Sequence, residues 1–480
     1  MVEIKCGIEI HQQLLTHKLF CPCSSEMVES AEAEFARRLR PVPGELGDVD
    51  VAAQYEFLRN RLFIYKTYPK ESCLVELDEE PPHAINFEAL ETAIMVALML
   101  KCKIPDEIHV MRKIVIDGSD TTGFQRTALV GMDGWIETSF GKVGITNVCL
   151  EEESAQILGK EEGGKIVYGL NRYGIPLIEI GTSAEIKNPE QAREVAEKIG
   201  MILRSTGKVK TGLGTIRQDL NISIDGGERV EIKGVQSLSA IPIVLELEAK
   251  RQEAIIKSGQ KVKPEVRRAK PDGTTEYLRP LPGSARMYPE TDCPPIVINR
   301  QWLSEIELRL PEMIDEKVKR YVKEYKLSWE IASQLVHSDM INLFEYLAQW
   351  ADPRLVASVL TGVVKNLKRE GIAVERLEQR HYQVIFEAVK EGKIAKEAIP
   401  DVIRKLAERP EKMDEVIKSV SVLVGEEDVR NVIKDIIKSK PELKSMPNPF
   451  QAYMGIIMER LRGKVPGSTI AKILKEELAC

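Results

Sequence analysis

The sequence has no apolar stretch able to cross a membrane. Its longest uninterrupted run, Ala93 to Leu100, falls far short of the ~20 residues a spanning helix needs. The amino terminus, MVEIKCGIEI, alternates and carries charge where a secretory leader has an apolar segment, so the expected location is the cytoplasm. Cysteine is sparse and scattered, at 6, 21, 23, 73, 102, 149, 293 and 480, which predicts reduced thiols rather than a disulfide scaffold. Cys21 and Cys23 could donate two thiolates to zinc but have no second closely spaced pair in reach, and Cys73 is the nearest unpaired candidate. Two ordinary thiols are expected there, with no zinc. A positive charge excess is also missing. The net charge is -6, and residues 371–480 hold 20 basic against 18 acidic side chains, which leaves the rest at about -8. Nucleic-acid binding by bulk electrostatics is excluded, and any such contact must be local.

Common catalytic signatures are absent too. Gly159 to Lys165 fits the first seven positions of a phosphate-binding loop, but Ile166 stands where Ser or Thr is required and no helical pattern follows. It reads as a charged turn between strands. Zinc-protease, nucleophile-elbow and dinucleotide fingerprints are missing, as are internal repeats and low-complexity tracts.

What is present is a folded chain of 480 residues, 43% hydrophobic and 30% charged, long enough for two to four domains. Up to about residue 235 it reads mainly as strands, among them 108–116, 144–150 and 165–170, separated by Gly, Asp and Asn turns. Helices are predicted at about 87–101, at 188–207 behind Asn188-Pro189, and at 237–257. A Pro- and Gly-rich stretch follows, and from about Gln301 the period switches to 3.6. The expected fold class is α+β. A large domain with an antiparallel sheet over 1–300 precedes two all-helical domains, 301–370 and 371–480, joined near Arg369 to Ala373.

Alternation sorts the polar residues. In TIRQDLNISI, Arg217, Asp219, Asn221 and Ser223 share one face and Ile216, Leu220, Ile222 and Ile224 the other. A turn at 225–227 leads to a strand with Arg229, Glu231 and Lys233 on one face. GIEIHQQL puts Glu9, His11 and Gln13 together, a candidate metal or acid–base site. Glu151, Glu152 and Glu153 end a strand with mutual repulsion that a divalent cation would relieve, and Glu179 interrupts an otherwise apolar strand. Each feature alone also suits a solvated sheet face. Together they offer carboxylates, a histidine and the bases Arg112, Lys113, Arg217, Lys233 and Arg286. Oxygen ligands suit Mg2+, and Mg2+ with Arg and Lys suits a nucleoside triphosphate, so the face points to phosphoryl transfer with ATP.

The blocks GIEIHQQL, KLFCPC, CLVELDEEPPH, MRKIVIDGSDTTGFQRT, NVCLEEES, NRYGIPLIEIGT, RQDLNISI, VEIKGVQSL and RMYPETDCPP, in this order through nearly the whole chain, resemble the archaeal E subunits of glutamyl-tRNA(Gln) amidotransferase and the related bacterial B subunits. The resemblance implies a glutamine-synthetase-like cradle and helical domains that hold misacylated Glu-tRNA(Gln). It implies ATP-dependent phosphorylation of the glutamyl carboxylate and displacement of the phosphate by ammonia. It places Mg2+ on Glu9, His11, Glu152 and Glu179, and the family's RCDxN block on Arg217, Asp219 and Asn221, with Gln218 in place of cysteine. Lys233 and Arg217 would neutralise developing charge, Asp219 would orient ammonia, and Arg112, Lys113 and Arg286 would face ATP. Because no amidase nucleophile motif is visible, ammonia is expected from a partner, the family's asparaginase-like D subunit, in a heterotetramer.

Two departures stand out. The domain usually inserted in archaeal E subunits has only about ten residues, near Lys257 to Val266, in its place, and a bacterial CPVC pair is replaced by ArgProValPro at 40–43. A small-molecule carboxylate–amine ligase would share the polar face but not need the helical appendages. A non-catalytic tRNA scaffold would need the appendages but not the carboxylates.

Overall fold

A computed structural model describes residues 3–44, 47–159, 161–212, 214–283, 286–338, 340–420, 426–446, 448–461 and 467–479. The chain divides into two compact units, 1–313 and 314–480.

The first unit is built on a ten-stranded sheet with Ile4–Gln13 inside it. That strand pairs antiparallel with Pro176–Thr182 on one side and Ile216–Ile224 on the other. Outward from Pro176–Thr182 come Gly141–Glu152, Phe124–Thr138, Val110–Ile114 and Met287–Pro289; beyond Ile216–Ile224 come Val230–Val235, Glu265–Ala269 and Thr275–Pro280. The sheet is mixed rather than purely antiparallel, because Val230–Val235 and Glu265–Ala269 run parallel across the connection made by helix Ala240–Lys257. A smaller four-stranded sheet contains Ala33–Arg37, Leu62–Thr67, Lys165–Gly169 and Gln156–Ile157. The charged turn read at 159–165 leads into its Lys165–Gly169 strand.

One face of the large sheet is closed by helices. Phe87–Met99 packs on the Phe124–Thr138 and Gly141–Glu152 strands, Pro189–Ser205 on Ile4–Gln13, and Ala240–Lys257 on Ile216–Ile224. Asn86 and Asn188 start two of these helices by accepting from the amides of Ala89 (3.1 Å) and Gln191 (2.8 Å), as their cap chemistry predicts. Residues of even number on the first strand, Ile4, Cys6, Ile8 and Ile10, are buried in this interface with Ala93, Ile94, Val96 and Ala97. Gly131 permits the close approach, since a Cβ there would lie 2.7 Å from that of Ala97. Helix Val51–Leu58 is not legible in the sequence. Helix Arg300–Leu308 belongs to this unit, its following residue Arg309 forking onto Glu91 at 2.7 and 3.1 Å.

The second unit is helical among its described residues. The expected joint at 369–373 is a turn, with Gly371 at φ 82°. Helices on either side of it hydrogen-bond, as the Tyr346 hydroxyl does to Gln383 (2.7 Å). Helices Glu426–Ser439, Pro449–Leu461 and Gly467–Ala479 share a core of their own around Val429, Ile433, Tyr453, Ile457, Ile470 and Leu474.

Candidate active site

Register places the charged residues. Across the central strand, His11 lies between Glu179 and Arg217, and Glu9 between Gly181 and Asp219. Glu179 in turn pairs with Cys149, Leu177 with Glu151, and Asn221 with Glu231. Because side chains alternate, Glu9, His11, Glu151, Glu179, Arg217, Asp219, Asn221, Glu231 and Lys233 all point to the face opposite the helices. Lys113 reaches the same face from the Val110–Ile114 strand and bonds Glu151, which also accepts from the Thr127 hydroxyl at 2.7 Å.

Contacts within the cluster are short. His11 Nε2 is 3.3 Å from Glu179 Oε2, and Lys113 Nζ is 3.5 Å from the same oxygen. Lys233 Nζ bonds Asp219 at 2.8 Å and Glu231 at 2.7 Å. Asn221 donates to Glu9 at 3.0 Å, and its own buried carbonyl oxygen has no protein partner. Glu9, His11 and Asp219 form one group whose donor atoms lie within 4.8 Å of one another, and His11, Glu151 and Glu179 form a second. His11 belongs to both.

The electrostatics show an excess of negative charge. Five carboxylates, on Glu9, Glu151, Glu179, Asp219 and Glu231, face two ammonium groups, on Lys113 and Lys233. Burial pushes Glu9 above the usual carboxylate range, and the charges of Glu179 and Glu231 push it further against the pull of Lys233 and His11. Burial would lower His11, but the hydrogen bond and charge of Glu179, with Asp219 and Glu151, raise it above its ordinary value. Burial works against an ionised Glu179, yet Lys113 and His11 hold it well below its ordinary value. Asp219 likewise stays low, burial being outweighed by Lys233 and His11. A cluster that raises both a histidine and a carboxylate is short of positive charge, and a divalent cation would supply it.

Four expected residues stand differently. Glu152 points to the covered face, where its Oε1 accepts from the Arg126 amide at 2.9 Å and the Arg126 guanidinium lies 3.4 Å away; Glu151, one residue earlier, takes the place among the site carboxylates. Arg112, adjacent to Lys113, also faces away. It bonds Glu290 and lies over the rings of Phe124 (4.5 Å) and Tyr288 (5.8 Å). Arg286 lines a small cavity with Asp50, Glu56, Asp117 and Arg279, and its charge also acts on Lys113. Arg217 is on the charged face, but its fork is taken by buried Glu153, at 2.8 and 2.9 Å, which Gln13 also contacts at 3.1 Å. Glu151 is one of three adjacent candidates in the sequence; alternation selects it, because the core residues Val148 and Leu150 share a face with Glu152 and leave Glu151 on the open one.

Comparison with known proteins agrees with the resemblance. Residues 4–304 match the family described as the GatB/GatE catalytic domain, and residues 342–478 match a GatB domain. The E subunit of the Methanocaldococcus jannaschii glutamyl-tRNA(Gln) amidotransferase is 38% identical over 621 residues, covering 99% of this chain and 98% of that protein. The E subunits of the Archaeoglobus fulgidus and Pyrococcus abyssi enzymes are 38% identical over 610 residues and 37% over 593. Coverage is 99% of this chain and 98% of the Archaeoglobus protein, and 95% and 93% for the Pyrococcus one. These alignments are longer than the chain's 480 residues, so the relatives carry a substantial stretch with no counterpart here, in keeping with the absence of the inserted domain.

Proposed function

The chain belongs to the GatB/GatE family, and from that membership together with the charged face we propose that it converts Glu-tRNA(Gln) to Gln-tRNA(Gln) in an ATP-dependent reaction. The observation that carries the reading is the convergence of five carboxylates, two lysines and one histidine on the open face of the sheet.

The chemistry required is activation of a poor electrophile. A glutamyl carboxylate oxygen attacks the γ-phosphorus of ATP, ADP leaves, and the acyl phosphate so formed is open to ammonia. Ammonia attacks the carbonyl carbon, phosphate leaves, and one proton is lost. The donor set fits Mg2+, because carboxylate oxygens dominate it and the buried Asn221 carbonyl beside Glu9 is unpaired. Glu9, His11, Glu151 and Glu179 would hold the metal, with Glu151 replacing Glu152 in the expected set. Bound there, Mg2+ would neutralise phosphate charge.

The remaining roles belong to the chain itself. Lys113 and Lys233 stay cationic, because burial is outweighed by Glu151 and Glu179 for the first and by Asp219, Glu231 and Glu9 for the second; both stand where phosphoryl oxygens would gather charge. Arg217, fixed by Glu153, adds a positive wall beside Asp219. Asp219, kept ionised, would orient ammonia and receive a proton. Arg112 lies outside this cluster, whereas the Arg286 charge acts on Lys113 and would stand beside the phosphates with it.

An asparaginase-like D subunit would supply the ammonia, in a heterotetramer, and the sheet would act as a glutamine-synthetase-like cradle. Residues 301–370 and the tail 371–480 would hold the tRNA in the cytoplasm, where aminoacyl-tRNA is made. Given ATP, Mg2+ and ammonium chloride, this chain should form Gln-tRNA(Gln), and with glutamine or asparagine as nitrogen donor it should be inactive. Amidation of free glutamate at a comparable rate would replace this reading with a small-molecule ligase. tRNA binding without ATP turnover would reduce the chain to a scaffold.

A further inference from the structure

Outside the charged face, three thiols distant in sequence come together. Cys21 and Cys23 lie in the loop after the Ile4–Gln13 strand, and Cys73 opens a turn in which the Leu77 amide donates back to the Cys73 carbonyl at 3.2 Å. Glu76, from the same turn, is 3% exposed. Its Oε1 accepts from Cys21 Sγ at 2.8 Å and its Oε2 from the Cys73 amide at 2.9 Å. The three sulfurs and a Glu76 oxygen all lie within 4.8 Å of one another, and none of the three cysteines is in a disulfide.

This spacing admits a tetrahedral soft-metal site, whose sulfur ligands stand about 3.8 Å apart when each is ~2.3 Å from zinc. Protein contacts also hold the loops. The Lys18 amide donates to the Cys23 carbonyl at 3.0 Å, His17 Nδ1 is 3.0 Å from the Cys21 carbonyl, and the fully buried Lys18 ammonium sits 3.7 Å from Glu76. Such outer contacts orient ligands before metal arrives.

We propose that Cys21, Cys23, Cys73 and Glu76 form a structural zinc site that pins the loop after the first strand to the turn at Cys73. The lone pair of thiols at 21 and 23 makes zinc unexpected from the sequence; the fold brings the two missing ligands from about fifty residues away. Four protein ligands close the coordination shell, which assigns the ion a structural role rather than a catalytic one. Thiolates also separate this site from the oxygen-lined cluster on the sheet, which selects hard cations. The pinned segments matter to that cluster. The loop continues directly from Glu9, His11 and Gln13, and the Glu76 carbonyl accepts from the Thr121 hydroxyl at 2.7 Å.

The test is metal content of the full chain purified without chelator, read by elemental analysis. About one zinc per chain is expected, released by an organomercurial that blocks thiolates and not displaced by excess Mg2+. Cys73→Ser should lose the zinc, and Cys293→Ser should keep it. If Cys73→Ser does not fold, the wild-type chain grown with Co2+ in place of zinc should show thiolate-to-cobalt charge-transfer absorption. Zinc-free wild-type protein without that cobalt absorption would overturn the proposal, as would a Cys73→Ser chain that still holds one zinc.

Discussion

On the open face of the large sheet Glu151 meets Lys113, Thr127 and the region of the His11–Glu179 pair, whereas one residue on, Glu152 turns to the covered face and meets Arg126. The same divide separates Lys113 from Arg112, which is committed to Glu290 and two aromatic rings. On the covered side the charges have tight counter-charges, as Arg126 has in Glu152 at 3.4 Å and Glu290 at 2.9 Å. The open side keeps an excess of carboxylates. Paired charges stabilise an interior only conditionally, and breaking one pair leaves the other group buried and alone. Unbalanced charges on an open face have no structural purpose of their own, which is why they point to a ligand.

The largest effect that would sharpen this contrast is expected from His11, the residue common to both donor groups. His11→Ala should lower Glu-tRNA-dependent ATP turnover about a hundredfold or more, with filter-measured tRNA affinity nearly unchanged. Equal losses in binding and turnover would break the assignment. On the covered side the effect should fall on stability instead. Glu152→Gln weakens the buried Arg126 contact and should cost about 2 kcal/mol, read as a lower denaturation midpoint.

A smaller effect concerns the helical unit. Hydrogen bonds such as Tyr346 to Gln383 cross the turn at 369–373, so a cut at 370 would damage packing on both sides. The self-contained core of the last three helices makes removal of residues 426–480 the cleaner truncation. It should weaken tRNA binding roughly tenfold at moderate salt while leaving the melting of the sheet unit in place. An unchanged gel-shift affinity would remove the tail from the tRNA site.

The smallest effect is a pH dependence. In chelator, burial of His11 is outweighed by the Glu179 hydrogen bond and by the charges of Glu179, Asp219 and Glu151, so its folded value lies above the ordinary 6.5. A raised value contributes stability that is complete below the unfolded value and is lost as pH rises through the folded one. The wild-type melting temperature should therefore decline relative to His11→Asn as pH rises above about 6.5. Parallel curves would contradict the pairing.

Much of the site is legible because period-two alternation alone separates Glu9, His11, Arg217, Asp219 and Lys233 from their apolar neighbours. Alternation also forbids Arg112 and Lys113 from sharing a face, a signal present in the sequence that assigning both to ATP neglects. What alternation cannot supply is register between strands. The choice between Glu151 and Glu152 does not need it, since Val148 and Leu150 share a face with Glu152 while Cys149 shares that of Glu151. Cys73 stands out as the nearest further cysteine, but Glu76 is hidden, since a turn far along the chain carries no local mark of the loop it will meet. The parallel pair at Val230–Val235 and Glu265–Ala269 is equally hidden, because Ala240–Lys257 reads as a helix without revealing which strands it connects.

The most direct test of the divided sheet is Glu-tRNA-dependent ATP turnover measured side by side for Glu151→Gln and Glu152→Gln. Each substitution removes one negative charge with little change in volume, so the comparison isolates the face on which that charge stands. A loss of about a hundredfold is expected for Glu151→Gln and of less than about threefold for Glu152→Gln at a temperature where both are folded. The reverse order would contradict that expectation and return Glu152 to the metal site.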